Sequence, residues 1–266
     1  MKKAFQRYNL QRQHEALKRA EAISADDRKS DDEKSAGIRE ILENLMAELQ
    51  KLLDDEISPN DLMVDIVTEF WEKNYREAVK NGIKLRKIQE ADKDKFIELA
   101  IENAVNPKLF QVEEYREGLW KDHNSNTTVV FTIEKDGQYA GYCSVNDVTK
   151  NNWEISIELL QKFHRQGIGY SAISMMLDII KEKFGVSEFR VRMFSDNIGS
   201  RKLFEKLGAE PNGISEYMIH NKKDIYDFEE QYLHTITDDL REVAKRFNVE
   251  PRQLLSHVLE YRLVWK

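Results

Sequence analysis

The chain has 266 residues, 41% hydrophobic and 33% charged, with 11 glycines, 4 prolines and a single cysteine. That length holds one large domain, or one medium domain with an appendage, and the charge excess with scarce Gly and Pro favours long solvated helices. The lone Cys143 excludes an intrachain disulfide and a cysteine-based zinc site, and the net charge of −7 argues against a general nucleic-acid binder.

The first 20 residues carry six Lys/Arg against one Glu, read as the basic end of a soluble helix. Residues 1–80 form a helical extension. Ser24 to Ser35 is an acidic, polar loop, and Glu21 to Glu56 holds twelve acids against five bases. Ile38, Leu42, Leu45, Leu49 and Leu52 make one apolar stripe at helical spacing, which fits either packing within its own bundle or a homodimer face. Ser58-Pro59 is a helix start, and the helix behind it, carrying Leu62, Ile66, Val67, Phe70 and Trp71, is expected to end near Asn81-Gly82.

After Gly82 the texture changes. Ile83 to Ile88 alternates like a strand, and Ala91 to Glu102 and Gln111 to Lys121 are helical. Thr128 to Glu134 and Tyr139 to Val145 are β-rich runs around the hairpin signal Lys135-Asp136-Gly137. Trp153 to Leu160 is a strand, and Ile168 to Phe184 is a helix stopped by Gly185. Phe189 to Met193 is a strand, Ile198 to Leu207 a helix ended by Gly208, and Ile214 to Ile219 a strand. One long helix over Lys223 to Phe247 and a last strand over Val258 to Trp265 complete the chain. The order β-α-α-β-β-β-α-β-α-β over residues 83–220 predicts an α+β fold with a mixed sheet. No apolar run reaches the roughly 18–20 residues of a membrane span, and the N-terminus lacks the apolar stretch of a secretory signal, so the expected location is the cytoplasm, with no membrane or nucleic-acid partner.

The segment with chemical content is Phe163-His164-Arg165-Gln166-Gly167-Ile168-Gly169-Tyr170, a glycine-bearing loop that leads from a strand into a helix. Backbone N–H groups at a helix N-terminus attract anions, and glycines let a phosphate approach closely. The loop lacks the Gly-Lys-Ser/Thr of a nucleotide P-loop, and Ser171 and Ala172 stand where a dinucleotide fingerprint needs its third glycine. His123, His164, His220, His234 and His257 show no metal spacing, and no metal is expected.

Together with Asn197-Ile198-Gly199-Ser200-Arg201-Lys202-Leu203-Phe204-Glu205-Lys206-Leu207-Gly208, this loop resembles the GNAT superfamily of acyl-CoA N-acyltransferases. That family's loop reads Arg/Gln-x-x-Gly-x-Gly/Ala, with His164 here in the first position. Its second block reads Asn-x-x-Ala/Ser-x-x-Leu-Tyr/Phe-x-Lys-x-Gly. The resemblance covers residues 83–220 and extends to a last strand near 258–265, so residues 83–266 read as the acyltransferase domain with the helix 223–247 inserted. It implies acetyl-CoA as acyl donor and a primary amine, on a small molecule or a peptide, as acceptor. The amides of Gln166, Gly167, Ile168, Gly169 and Tyr170 would cradle the pyrophosphate, with His164 and Arg165 as cationic contacts. The pantetheine arm would pair with Leu159 and Leu160, and the N–H of Leu160 would face the oxyanion. Asn197 would touch the cofactor or cap its helix.

Phe204 stands where many members carry a proton-donating Tyr, and the thiolate must then leave without it. Glu154 and Glu158, an even number of residues apart and so on one strand face, are the candidate bases, acting through water. A second reading is a non-catalytic acyl-CoA-binding regulatory module whose N-terminal helices bind a partner. Residues 91–121 and 209–265 would choose the acceptor, and the inserted helix would form a lid or dimer face against the N-terminal helices.

Overall fold

A computed structural model describes residues 16–53, 59–75, 77–104, 106–125, 127–150 and 152–266. Most of the basic N-terminal stretch, the Ser58 cap, and the side chains of Leu49 and Leu52 fall outside that description. Residues 16–24 form helix α1, followed by α2 (Asp31–Leu53) and α3 (Pro59–Glu69). Ile38 and Leu45 of the α2 stripe are half-buried, and Leu42 is exposed. Arg19 ties α1 to Glu69 of α3 through an ion pair at 3.3 Å.

The helix expected to run to Asn81-Gly82 ends at Glu69 and passes into one π-helical turn, Phe70–Asn74. Asn81 and Gly82 are instead the two central residues of a β-hairpin, both at positive φ (53° and 72°), the conformation of a type I′ turn. The sheet therefore begins with β1 (Ala78–Lys80), inside the segment read as helical, paired to β2 (Ile83–Lys87). Helix α3 is also part of the main core: Met63, Ile66, Val67 and Phe70, at i, i+3, i+4 and i+7, are buried there. The Phe70 ring meets Phe184 at 5.1 Å and Phe131 at 6.5 Å.

From β2 onward the expected order holds: α4 (Lys93–Asn103), α5 (Glu113–His123), β3 (Val129–Lys135), β4 (Gln138–Asn146), β5 (Glu154–Leu159), α6 (Ile168–Phe184), β6 (Glu188–Met193), α7 (Ile198–Lys206) and β7 (Glu210–Glu216). Asp136-Gly137 forms the predicted hairpin turn, again with both residues at positive φ. The C-terminal strand is β8 (His257–Val264), and the eight strands lie in the order β1-β2-β3-β4-β5-β6-β8-β7. Pro211 sits in the edge strand β7 at a register shift, where no ladder donor is required.

The long helix expected over 223–247 is two helices, α8 (Lys222–Tyr232) and α9 (Asp238–Phe247). Ile236 is extended, and the Thr237 hydroxyl accepts from the Leu240 N–H at 3.2 Å, starting a new helix with Asp238 and Asp239 in its first turn. Helix α9 buries Val243, Ala244 and Phe247 in the main core, with Phe247 edge-on to Tyr261 of β8 at 5.0 Å. Glu229 anchors α8: its carboxylate accepts from Arg252 at 2.8 Å and from Ser256 at 2.7 Å.

The sheet has two unlike faces. Helix α6 covers one with Ile168, Ala172, Ile173, Met176, Leu177, Ile180 and Phe184. On the other, α4 and α5 place Phe96 and Trp120 against Ile88 and Val130. Beside them lies a buried charge cluster. Arg86 forks onto Asp92 with two bonds of 2.7 Å and reaches Glu134 at 2.7 Å, while Thr132 donates to Asp92 at 3.0 Å. Burial opposes ionisation of Asp92, and Arg86, the Gln89 N–H and Thr132 outweigh it, so its carboxyl is held below the usual range. Cys143 is buried in β4, and burial pushes its thiol up. Among the described residues, no helix is long and apolar enough to cross a membrane.

Candidate active site at the splayed strands

Strands β5 and β6 are parallel neighbours that pair at a single position, Glu154 opposite Arg190, and then separate. On its other side β5 stays in register with β4 from Asn146–Glu154 to Gly141–Leu159. The Leu160 N–H continues that ladder, donating to Ala140 at 3.0 Å. Antiparallel parity therefore turns the even residues of β5 toward β4, and the N–H groups of Ile157 and Leu159 toward the gap. This corrects the expectation for Leu160: its N–H belongs to β4 and is not free for a ligand or an oxyanion, and its carbonyl accepts from the Phe163 N–H at 2.8 Å. Leu159 keeps its N–H for the gap, while its carbonyl is bonded to the His164 ring Nε2 at 2.8 Å. His164 is thus folded back on the strand as a loop clamp.

Gly141 permits this geometry. Its φ is +148°, and a Cβ there would lie 2.0 Å from the Glu158 carbonyl oxygen and 2.9 Å from Leu159 Cα. Strand β4 carries an irregularity beside it, where the β3–β4 register slips between Ile133 and Glu134. The bulge and the close approach together steer the end of β5.

The loop after β5 is a short 3₁₀ turn, Gln161–Phe163, with Phe163 buried as its anchor. Arg165 and Gly167 are both left-handed, at φ 59° and 76°. Gly167 is the N-cap of α6 and offers no capping side chain. Ser171 is the first residue to bond back, to the Gly167 carbonyl at 3.1 Å, so the N–H groups of Ile168, Gly169 and Tyr170 project from the helix end. A Cβ on Gly169 would stand 3.3 Å from Leu203 and 3.4 Å from Ile157, so this glycine keeps the passage between helix and strand open. Lys206 lies over the Tyr170 ring at 4.8 Å, adding a cation beside the helix end. An extended ligand with an anionic group at one end and amides along its length fits this arrangement: free N–H groups at the α6 terminus and along the gap edge of β5.

Asn197 caps α7, its Oδ1 accepting from the Ser200 N–H at 3.0 Å. Phe204 is buried in the main core. Helix α7 is fixed from behind by Arg201 to Asp239 at 2.9 Å and by Glu205, which accepts from Arg246 and Tyr261 at 2.8 Å each.

The two carboxylates on the even face of β5 have different surroundings. Glu154 lies between Arg190 at 2.8 Å and Arg192 at 2.9 Å, and both of its oxygens accept from guanidinium groups. Among the described residues, Glu158 touches no cation. It accepts from the Tyr142 hydroxyl at 3.0 Å and from the Asn103 amide at 3.4 Å, and burial raises its proton affinity above the usual carboxylate range. Helix α4 is pinned here as well, because Glu102 accepts from the Gln161 N–H at 2.6 Å. Beyond Arg192, the exposed rings of Phe194 and Tyr217 meet edge to face at 5.4 Å.

Neither Tyr142 nor Asn103 stands out in the sequence as a partner of Glu158, and nothing local there marks the Arg190–Glu154–Arg192 pairing. Gly141 did carry a signal, since an isolated glycine within a strand pattern points to a bulge or a close backbone approach.

Residues 83–210 match the family model described as an acetyltransferase (GNAT) domain. A Bacillus subtilis (strain 168) protein, named for N-acetylation of alanine on ribosomal protein bS18, is 28% identical over 93 residues, which is 35% of this chain and 61% of that protein's length. Among solved structures, the RimL ribosomal L7/L12 alpha-N-protein acetyltransferase in complex with coenzyme A superposes with a TM-score of 0.51 at 15% identity, over 71% of this chain and 98% of that one. At that identity the likeness establishes the fold.

Proposed function

Because residues 83–210 belong to the GNAT acetyltransferases, we propose that this chain is a cytoplasmic, acetyl-CoA-dependent N-acetyltransferase with Glu158 as its general base and the α-amine of a polypeptide as its acceptor. One observation carries the reading. A single strand, β5, offers free N–H groups to the gap beside the uncapped end of α6 and, on its even face, a carboxylate held by the uncharged Tyr142 and Asn103.

Bound acetyl-CoA supplies an activated thioester carbonyl and a thiolate leaving group. The N–H groups of Ile168, Gly169 and Tyr170 would hold the pyrophosphate, and those of Ile157 and Leu159 the pantetheine amides or the carbonyl oxygen as negative charge develops on it. The acceptor arrives as an ammonium ion, and Glu158, its proton affinity raised by burial, takes one proton directly or through water. The amine nitrogen then bonds to the acetyl carbon, the carbon–sulfur bond breaks, and the second proton lost by nitrogen leaves the thiolate as a thiol. A thiol pKa of ~8.5 makes that departure feasible without a dedicated acid, which accommodates Phe204. Glu154 is assigned to holding Arg190 and Arg192 of β6. The exposed Phe194–Tyr217 pair beyond Arg192 supports a polypeptide acceptor, as does the name of the Bacillus relative.

The test is thiol release from acetyl-CoA with peptides bearing free N-termini, set beside polyamines, aminoglycosides and free amino acids. Peptides are expected to turn over, and Glu158→Gln to lose about 10²–10⁴ in rate while its melting temperature still rises with acetyl-CoA. Full activity in Glu158→Gln would remove the base assignment. Silence across the panel with CoA binding intact would favour the regulatory reading, for which Phe204 is the supporting observation.

A further inference from the structure

We propose that Tyr142 is the positioning residue of this site, aiming the Glu158 carboxyl group through a hydrogen bond it can give to the charged form and accept from the protonated one. The proposal rests on the reading of Glu158 as the base and adds the group that holds it.

Tyr142 and Glu158 are direct cross-strand partners in the β4–β5 ladder, so the backbone fixes their separation, and the phenol oxygen lies 3.0 Å from Glu158 Oε1. A hydroxyl is both donor and acceptor, so this contact survives a change in the protonation of Glu158 with only a rotation of the O–H bond. An arginine or lysine in the same place would hold only the charged form. The ring itself has little freedom. His123 meets it at 4.4 Å, Phe96 at 5.9 Å, and His123 stacks flat on Phe96 at 4.0 Å. Burial pushes His123 down to about 4, so at neutral pH this wall carries no charge. Burial, with the Glu158 carboxylate alongside, pushes the Tyr142 phenol well up, so it stays protonated.

The groups facing Glu158 come from every element packed around it. Strand β4 contributes Tyr142 and Tyr139, and α4 contributes Asn103, with Glu102 turned away to the Gln161 N–H. Helix α5 contributes His123 behind Tyr142, and Glu154, the other acid on this face of β5, lies four residues away and is engaged by Arg190 and Arg192. Burial raises the proton affinity of Glu158, and the Tyr142 and Asn103 hydrogen bonds draw it back. Deleting the hydroxyl should therefore raise it further.

The test uses the full chain labelled with ¹³C at the glutamate carboxyl carbon and titrated by NMR, with Glu158→Gln identifying the Glu158 resonance. Tyr142→Phe removes one oxygen and keeps the ring in its aromatic seat, and a cooperative melt verifies its fold. Its Glu158 midpoint is expected to move up by about one pH unit, as is the acidic limb of kcat/KM measured with acetyl-CoA and an accepted peptide. At high pH, where Glu158 is charged in both proteins, a lower kcat than wild type should remain, because the carboxylate is no longer aimed, and a kcat equal to wild type there would overturn the aiming role. In a Glu158→Gln background, Tyr142→Phe should cost nothing more, because it acts through the missing carboxylate. An unmoved midpoint and limb in Tyr142→Phe, with Glu158→Gln inactive, would overturn the role of Tyr142 and leave the base standing. A full rate in Glu158→Gln would overturn both.

Discussion

The close approach of β4 to β5 at Gly141 can be tested with a single methyl group. Alanine at this position would place its Cβ 2.0 Å from the Glu158 carbonyl oxygen and 2.9 Å from Leu159 Cα, at a φ of +148° that an L-residue avoids. Both obstacles are backbone atoms, so no side-chain rotation relieves them. Either the residue moves to an ordinary β conformation, or the strands part where they define the edge of the gap. Backbone strain of about 1–3 kcal/mol and one or two weakened ladder bonds at about 1 kcal/mol each give a destabilisation of about 2–5 kcal/mol. For a chain of this length that corresponds to a melting point lower by about 4–20 °C. Acetyl-CoA binding should weaken beyond what the stability loss explains, because the displaced segment is Glu158–Leu159. Gly118→Ala is the control: it lies in α5, a Cβ there meets nothing within 4 Å, and it should stabilise by about 0.5–1 kcal/mol. Thermal melts and calorimetry with acetyl-CoA decide the matter. If Gly141→Ala melts within about 2 °C of wild type and binds acetyl-CoA equally well, the steering role assigned to Gly141 is wrong.

Gly169→Asp should abolish the acetyl-CoA-dependent rise in melting temperature, since it fills the passage beside Leu203 and Ile157 and sets a carboxylate against the pyrophosphate; an undiminished rise would remove the loop from the binding site. Arg86→Met should cost about 3–5 kcal/mol, because Asp92 and Glu134 would remain without their shared cation, and chemical denaturation measures it. The pH dependence follows from the same cluster. Asp92 has a depressed folded-state pKa, so its contribution is present above the ordinary carboxylate range and is lost as pH falls through that range toward the folded value. Asp92→Asn should therefore be less stable than wild type at neutral pH and lose less stability on acidification. Thr237→Ala should cost about 1 kcal/mol by removing the cap of α9, read as a lower denaturation midpoint.

Much of the domain was legible in short stretches of sequence. The element order over residues 83–220, the Asp136-Gly137 hairpin, the glycine stops after α6 and α7, and the loop at His164–Tyr170 each depend on dihedral preferences and periodicities within a few residues. Two misreadings were also local. Asn81-Gly82 serves equally as a helix end and as a type I′ turn, and only the strand opposite it decides between them. The break before α9 was marked by Thr237-Asp238-Asp239, a capping signal outweighed by the amphipathic run on either side.

What the sequence alone determined was where an anion could bind, because a helix N-terminus with glycines carries its unpaired N–H groups wherever it is placed. What only the tertiary structure decided was which carboxylate is paired with guanidinium groups and which is buried beside a hydroxyl. Glu154 and Glu158 share a strand, a face and a side chain, and no local pattern separates them. Their neighbours come from far along the chain: Arg190 lies 36 residues from Glu154, and Tyr142 lies 16 residues from Glu158. Pairing with two guanidinium groups makes the first a structural ion. Burial beside a neutral hydroxyl raises the proton affinity of the second, which is why we propose it as the base, since proton affinity depends on which groups the fold brings within hydrogen-bond reach.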